Sequence, residues 1–287
     1  MQRNARLAGR TTAEYLRLYA LEGFLLRLAH SPHRDQLVLK GGVLLAAYEL
    51  RRPTTDINVA AVHLANNVDT IRDLIAEIAA TTLPADLDDG LIFDIDHITA
   101  QVIRDEDQYS GVRVSLKTNL AKAREPFHVD VNVGDPIWPH PADIALPRLL
   151  DGEPIRLRGY PMEMVLAEKT VTALQRGLAS TRWRDFADIY LLAGTYSFQT
   201  TDLRSAIEAV ATHRSVPVTD LGAALDGYAE IGQARWAAWL RKLQLDSTLP
   251  VDFAEILAAL EGFADPVLIG KLSADASWDP ASRRWIQ

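Results

Sequence analysis

Apolar residues recur at every second position in one half of this chain and at every third or fourth in the other, and that switch constrains the fold most. Phe127, Val129, Val131 and Val133 alternate with His128, Asp130 and Asn132, and Val112, Val114 and Leu116 alternate with Arg113 and Ser115. A period of two belongs to a strand with one face on the core and the other free for polar groups. Residues 91–98 read the same way, with Phe93 and Ile95 set against Asp94 and Asp96. Shorter strands at 37–39 and 56–62, and helices at 12–30, 42–50 and 68–80, complete an α/β region that runs to about residue 135. Six prolines then fall from Gly134 to Pro161 inclusive, so residues 136–160 read as a connecting loop with a short extended piece at 155–157. Beyond it the spacing is helical, with helices predicted at 161–176, 182–193, 201–213, 219–228, 234–243 and 252–263. The expected fold class is α+β: a mixed β-sheet lobe flanked by helices over 1–135, then an all-helical C-terminal lobe over 161–287. A cleft between two such lobes is the expected ligand site.

Bulk properties exclude several chemistries. The 287 residues include no cysteine, which rules out disulfides, thiolate metal sites and cysteine nucleophiles. No apolar run approaches the roughly 20 residues that span a bilayer, and the N-terminal stretch lacks an apolar signal core. The expectation is a cytoplasmic protein with no membrane partner. A net charge of −8 argues against a uniformly basic surface but leaves local basic windows. Lys117, Lys122 and Arg124 form one such window with no acid among them, and Arg176, Arg182 and Arg184 form another.

The chemistry concentrates in residues 40–58. Lys40-Gly41-Gly42 opens a short apolar helix, and glycines at a helix start let backbone amides approach an anion. The same residues also suit a plain strand–turn–helix junction, and they are not a P-loop, because the lysine precedes the glycines. Thr54-Thr55-Asp56-Ile57-Asn58 follows. On a strand Asp56 and Asn58 share one face, and paired oxygen ligands suit a hard cation such as Mg²⁺. Asp94 and Asp96 have the same spacing but no preceding glycine–helix element. Asp130 lies mid-strand on a polar face, within reach of Asp56 if the strands are neighbours about 4.8 Å apart. Carboxylates so placed hold two cations roughly 3.5–4 Å apart in phosphoryl and nucleotidyl transfer.

Two helical features add to these. Lys169, after Glu168, sits at the edge of an apolar stripe formed by Met164, Val165, Val171 and Leu174. It suits a phosphate contact, and equally a snorkelling surface lysine. In Arg182-Trp183-Arg184-Asp185-Phe186-Ala187-Asp188, helix-surface ion pairs at i,i+3 and i,i+4 account for all four charges without any function.

In order and spacing this set resembles the AbiEii-type nucleotidyltransferase toxins, a branch of the DNA polymerase β-like superfamily that includes the mycobacterial MenT toxins. The resemblance covers roughly residues 37–195. It implies a nucleotidyltransferase fold, NTP as substrate, Mg²⁺ as cofactor, a cognate antitoxin protein as partner, and RNA, most plausibly the tRNA 3′ acceptor end, as acceptor. Transfer there would block translation. Asp56 would be the metal-binding catalytic carboxylate, with Asn58 and Asp130 as further metal ligands. Lys169 and Asp185 would be catalytic, with Asp188 the alternative to Asp185. Lys40, Gly41, Gly42, Thr55, Arg182 and Asp188 would bind the nucleotide. The sequence departs from the superfamily's Asp-x-Asp at Asn58, whose neutral carbonyl predicts a single-metal or low-affinity site with activity retained; a degraded enzyme is the alternative.

Two other functions fit the same residues: a nucleotidyltransferase acting on a small molecule or a protein hydroxyl, and a non-catalytic NTP-binding module. Thr54 and Thr55 adjoin the expected metal ligand. A phosphate on either adds about −1.5 to −2 charges where a triphosphate must bind, which makes both candidate regulatory sites.

Overall fold

The structure, a computed structural model, describes residues 1–104 and 110–287. It divides into two compact units, the first comprising Met1–Asp135 with His140–Tyr160 and the second Pro136–Pro139 with Pro161–Gln287.

The first unit begins with α1 (Gln2–Leu7) and α2 (Thr12–His30). Thr11 caps α2 by accepting from the Glu14 amide at 3.2 Å, with Glu14 in the first turn as a capping box requires. Next come β1 (Leu37–Lys40), α3 (Gly41–Leu44), β2 (Asp56–Ala61), α4 (Val68–Ala79) and β3 (Leu91–Phe93). The unit closes with β4 (Thr99–Arg104), β5 (Ser110–Leu120), β6 (Ala123–Val133), β7 (Ala142–Leu146) and β8 (Ile155–Gly159). These eight strands form one mixed sheet in the order β3-β5-β6-β2-β1-β8-β7, with β4 also paired to β5. β2 runs parallel to β6 and β1 parallel to β8, while the remaining pairs are antiparallel. Helix α2 packs on β6 and β8 and against α4. Under it Phe24, Phe93 and Phe127 meet edge-to-face at 6.0–6.3 Å, a preferred aromatic geometry.

Three expectations are corrected here. Residues 91–98 are not one strand: the chain leaves the sheet after Phe93 and makes a 3₁₀ turn over Ile95–His97. Asp94 holds that turn through His97 Nδ1 at 2.7 Å, so Asp94 and Asp96 do not form a carboxylate pair on a strand face. The segment 136–160 is not a loop with one short extended piece: the piece at 155–157 lies within β8, and β7 precedes it. Its prolines lie outside those strands, and Ile144, Leu146, Ile155 and Leu157 are buried. Finally, the helix expected at 42–50 is one α-helical turn followed by a 3₁₀ turn over Leu45–Tyr48, stopped by the left-handed Glu49.

The second unit contains α5 (Met162–Arg176), α6 (Trp183–Ala193), α7 (Thr200–His213), α8 (Leu221–Ala224), α9 (Tyr228–Leu243) and α10 (Phe253–Leu268). Trp183, Phe186, Tyr228, Trp236 and Phe253 form its aromatic core, with Trp183 stacked on Tyr228 at 5.8 Å. The unit is not wholly helical. β9 (Ser277–Asp279) and β10 (Arg284–Ile286) form a hairpin whose Trp278 and Trp285 pack on Phe263. Among the described residues no helix is long and apolar enough to cross a membrane.

Candidate active site

The strand pairing of the first unit draws four polar residues into one line. Lys40 on β1 lies opposite Asn58 on β2, Asn58 opposite Asp130 on β6, and Asp130 opposite Arg113 on β5. The pleat sends Val112, Val114, Ile57, Val59, Val129 and Val131 to the core, all 0% exposed. The intervening positions therefore turn to the other face. Asp56 lies two residues before Asn58, opposite His128, whose Nδ1 pairs with Ser115 Oγ at 3.1 Å.

Each glycine of the expected phosphate turn packs against a residue that flanks Asp56. Gly41 has φ +69°, and a Cβ there would stand 3.1 Å from Asn58 Cβ and Nδ2. A Cβ on Gly42 would stand 2.9 Å from Thr54 Oγ1 and 3.4 Å from Arg52 Nη1. The glycines thus let the turn close down on β2. The Thr54 hydroxyl donates to Asp56 Oδ1 at 3.1 Å, which fixes the carboxylate's orientation. Lys40 is 7% exposed; its Nζ donates to Asp135 at 2.5 Å and lies 5.4 Å from the Tyr160 ring centroid.

Asp130 is engaged at both oxygens. Arg113 Nε donates to Oδ1 at 2.8 Å and Nη2 to Oδ2 at 2.7 Å, a fork-to-fork pair. This hydrogen bonding raises the Arg113 pKa against the lowering effect of burial, and the charges of Asp130 and Asp56 add to the rise. Among the described residues no group of three or more His, Cys, Asp or Glu is arranged to hold a metal. Asp56 and Asn58 are the residues of this face that would offer oxygens to one Mg²⁺-type ion, which commonly takes one or two protein oxygens and completes its shell with water and phosphate.

In the second unit Lys169 is not a snorkelling surface lysine. It is 9% exposed, and its Nζ donates to Asp185 Oδ1 at 2.7 Å and to Asp188 Oδ2 at 2.8 Å. The two aspartates sit one turn apart on α6, and both face Lys169 on α5. Arg182 also donates to Asp185. Burial alone would raise the Asp185 carboxyl, but the Lys169 and Arg182 charges and hydrogen bonds hold it at about 2. Asp188 pairs with Lys169, while Arg184 is exposed.

A model of the nucleotidyl transferase AbiEii toxin family, of type IV toxin–antitoxin systems, matches residues 23–262. The chain belongs to this family. It is thus a nucleotidyltransferase toxin of the AbiEii type. Among solved structures, MenT4, a nucleotidyltransferase toxin from Mycobacterium tuberculosis H37Rv, is 17% identical, with 94% of this chain and 98% of that chain covered and a TM-score of 0.52. JHP933 from Helicobacter pylori is 16% identical, with 87% and 89% covered and a TM-score of 0.48. No curated protein matches the sequence.

Arg113, Asp135 and Arg52, which were not among the expected site residues, lie beside Asp130, Lys40 and Gly42 respectively. Arg113 carried a signal, since its place in the β5 alternation assigns it to the polar face. Of the two threonines, Thr54 is 6% exposed with its hydroxyl turned to Asp56, whereas Thr55 is exposed.

Proposed function

We propose that this toxin transfers a nucleotide from an NTP to an RNA acceptor, the 3′ end of a tRNA, with Mg²⁺ at Asp56, and that it thereby blocks translation in the cytoplasm. The observation that carries this reading is the shared polar face of Asp56, Asn58 and Asp130 beside the Gly41–Gly42 turn. Asp56, oriented by Thr54, presents the anionic oxygen for the cation, and Asn58 a neutral one. When bound, the ion assists the attacking hydroxyl and neutralises triphosphate charge. The glycine turn brings backbone close to the triphosphate, and Thr55 is a further nucleotide contact in this reading. Lys40 is held ready by Asp135. In the helical unit Lys169 is the proposed phosphate-contacting cation, oriented by Asp185 and Asp188, with Arg182 as a further nucleotide contact.

RNA is favoured by the tip of the β5–β6 hairpin. Lys117 on β5, Lys122 in the connecting turn and Arg124 on β6 are exposed there, and such basic groups suit phosphate contacts. Thr55 is the accessible regulatory position. A cognate antitoxin is the proposed protein partner. Growth on induced expression tests the reading: wild type arrests growth and Asp56→Ala does not. Equal arrest by both, at equal protein level, contradicts it.

A further inference from the structure

The geometry points to a site that takes a single divalent cation, with the Arg113 guanidinium supplying the second positive charge from its fixed place on Asp130. This inference goes beyond the proposed cation-dependent transfer and rests on it. Asp130 is the residue that a second cation would need, and it is 6% exposed with both oxygens accepting from Arg113. The pair sits directly opposite in the β5–β6 ladder, so the fork is set by register and does not depend on a flexible reach. The other position that could hold a second cation is Asn58, which faces Asp130 across β2–β6 and brings no charge.

Charge favours the same division. Asp56 and Asp130 contribute two negative charges and Arg113 returns one, while Lys40, at the other end of the row, is paired with Asp135. A second divalent ion on Asp130 would sit beside a guanidinium in a half-buried site, where like charges repel more strongly than in water. Asp56 also acts on Arg113, so the guanidinium lies within the field of both carboxylates. Arg113 is thus a positioning residue: it holds Asp130 and keeps one positive charge at the β6 side of the site. Its side chain is 35% exposed, which leaves it able to meet an incoming anionic oxygen.

Mn²⁺ titration of the full chain with a non-hydrolysable NTP analogue, followed by the electron paramagnetic resonance signal of free Mn²⁺, tests this. Wild type binds one Mn²⁺ per chain, and so does Asn58→Asp. Asn58→Asp combined with Arg113→Met binds two. Two Mn²⁺ bound by the wild type would overturn the inference while leaving cation-dependent transfer intact. No bound Mn²⁺ in the wild type would sink both. The wild-type stoichiometry needs no variant to fold, and Arg113→Lys with Asn58→Asp, which keeps the charge, should stay at one; two in that variant would also count against the inference.

Discussion

Gly41 and Asn58 are packed so closely that a β-carbon on Gly41 would stand 3.1 Å from the Asn58 side chain, and Gly41 is left-handed at φ +69°. Contact and conformation act together here, so Gly41→Ala should cost about 1–3 kcal/mol from backbone strain alone. Displacement of Asn58 adds a loss of activity. Urea unfolding and NTP turnover measured on the same variant check both. An unchanged midpoint would show that the turn relaxes freely.

Removing the Lys169 ammonium leaves Asp185 and Asp188 buried with one cation fewer. Lys169→Met should therefore destabilise the second unit by about 3–5 kcal/mol, the usual cost of breaking a buried pair from one side. Adding Asp188→Asn to Lys169→Met should recover part of that loss. Equilibrium unfolding of the single and double variants measures the recovery, and strict additivity would argue against the coupling.

Acid stability follows from Asp185. Its carboxyl is held at about 2, below the 3.8 of a free aspartate. A depressed folded pKa contributes stability that is complete above the unfolded value and is lost as pH falls through the folded one. Stability should therefore drop between pH 4 and pH 2, and Asp185→Asn should flatten that slope while lowering stability at pH 7. Thermal melts across this range read the difference.

The opposite sign applies at α10. Burial raises the Glu261 carboxyl, with Asp265 and Asp220 adding repulsion, and Asp265 is itself raised by burial. A raised carboxyl weakens the fold where it is ionised, so Glu261→Gln should increase the melting temperature at pH 8 and change it little at pH 4. A decrease at pH 8 would contradict this.

Much of this architecture was legible in the sequence. The alternations around Val112–Leu116 and Phe127–Val133 identified β5 and β6 and put Arg113 and Asp130 on polar faces. Spacing gives the face and not the register, so the fork between Arg113 and Asp130 became visible only once the strands were paired. Helical spacing found α5 and α6, but which side of α6 was buried could not be read from charges one turn apart. Lys169 therefore looked peripheral when it is central to its network. Proline density hid β7 and left only residues 155–157 of β8 legible, because prolines outside the strands look the same in sequence as prolines within a loop. The β9–β10 hairpin was missed because each strand is three residues long, too short to show a period.

Phosphate at Thr55, which is exposed, should suppress NTP binding through its added charge. Thr54 is buried against Asp56, so Thr54→Glu should disturb the turn as well as the charge. Thr55→Glu should weaken NTP affinity at least tenfold with an unchanged melting temperature. Calorimetric titration reads the affinity, and unaltered binding would remove Thr55 as a regulatory position.

In the proposed reaction Asp56 directs nucleotidyl transfer to RNA. Incubating the toxin with α-³²P-labelled NTPs, Mg²⁺ and total tRNA measures it directly. Label should move onto tRNA with wild type and fall at least a hundredfold with Asp56→Ala; no transfer by the wild type, or equal transfer by both proteins, would contradict the account.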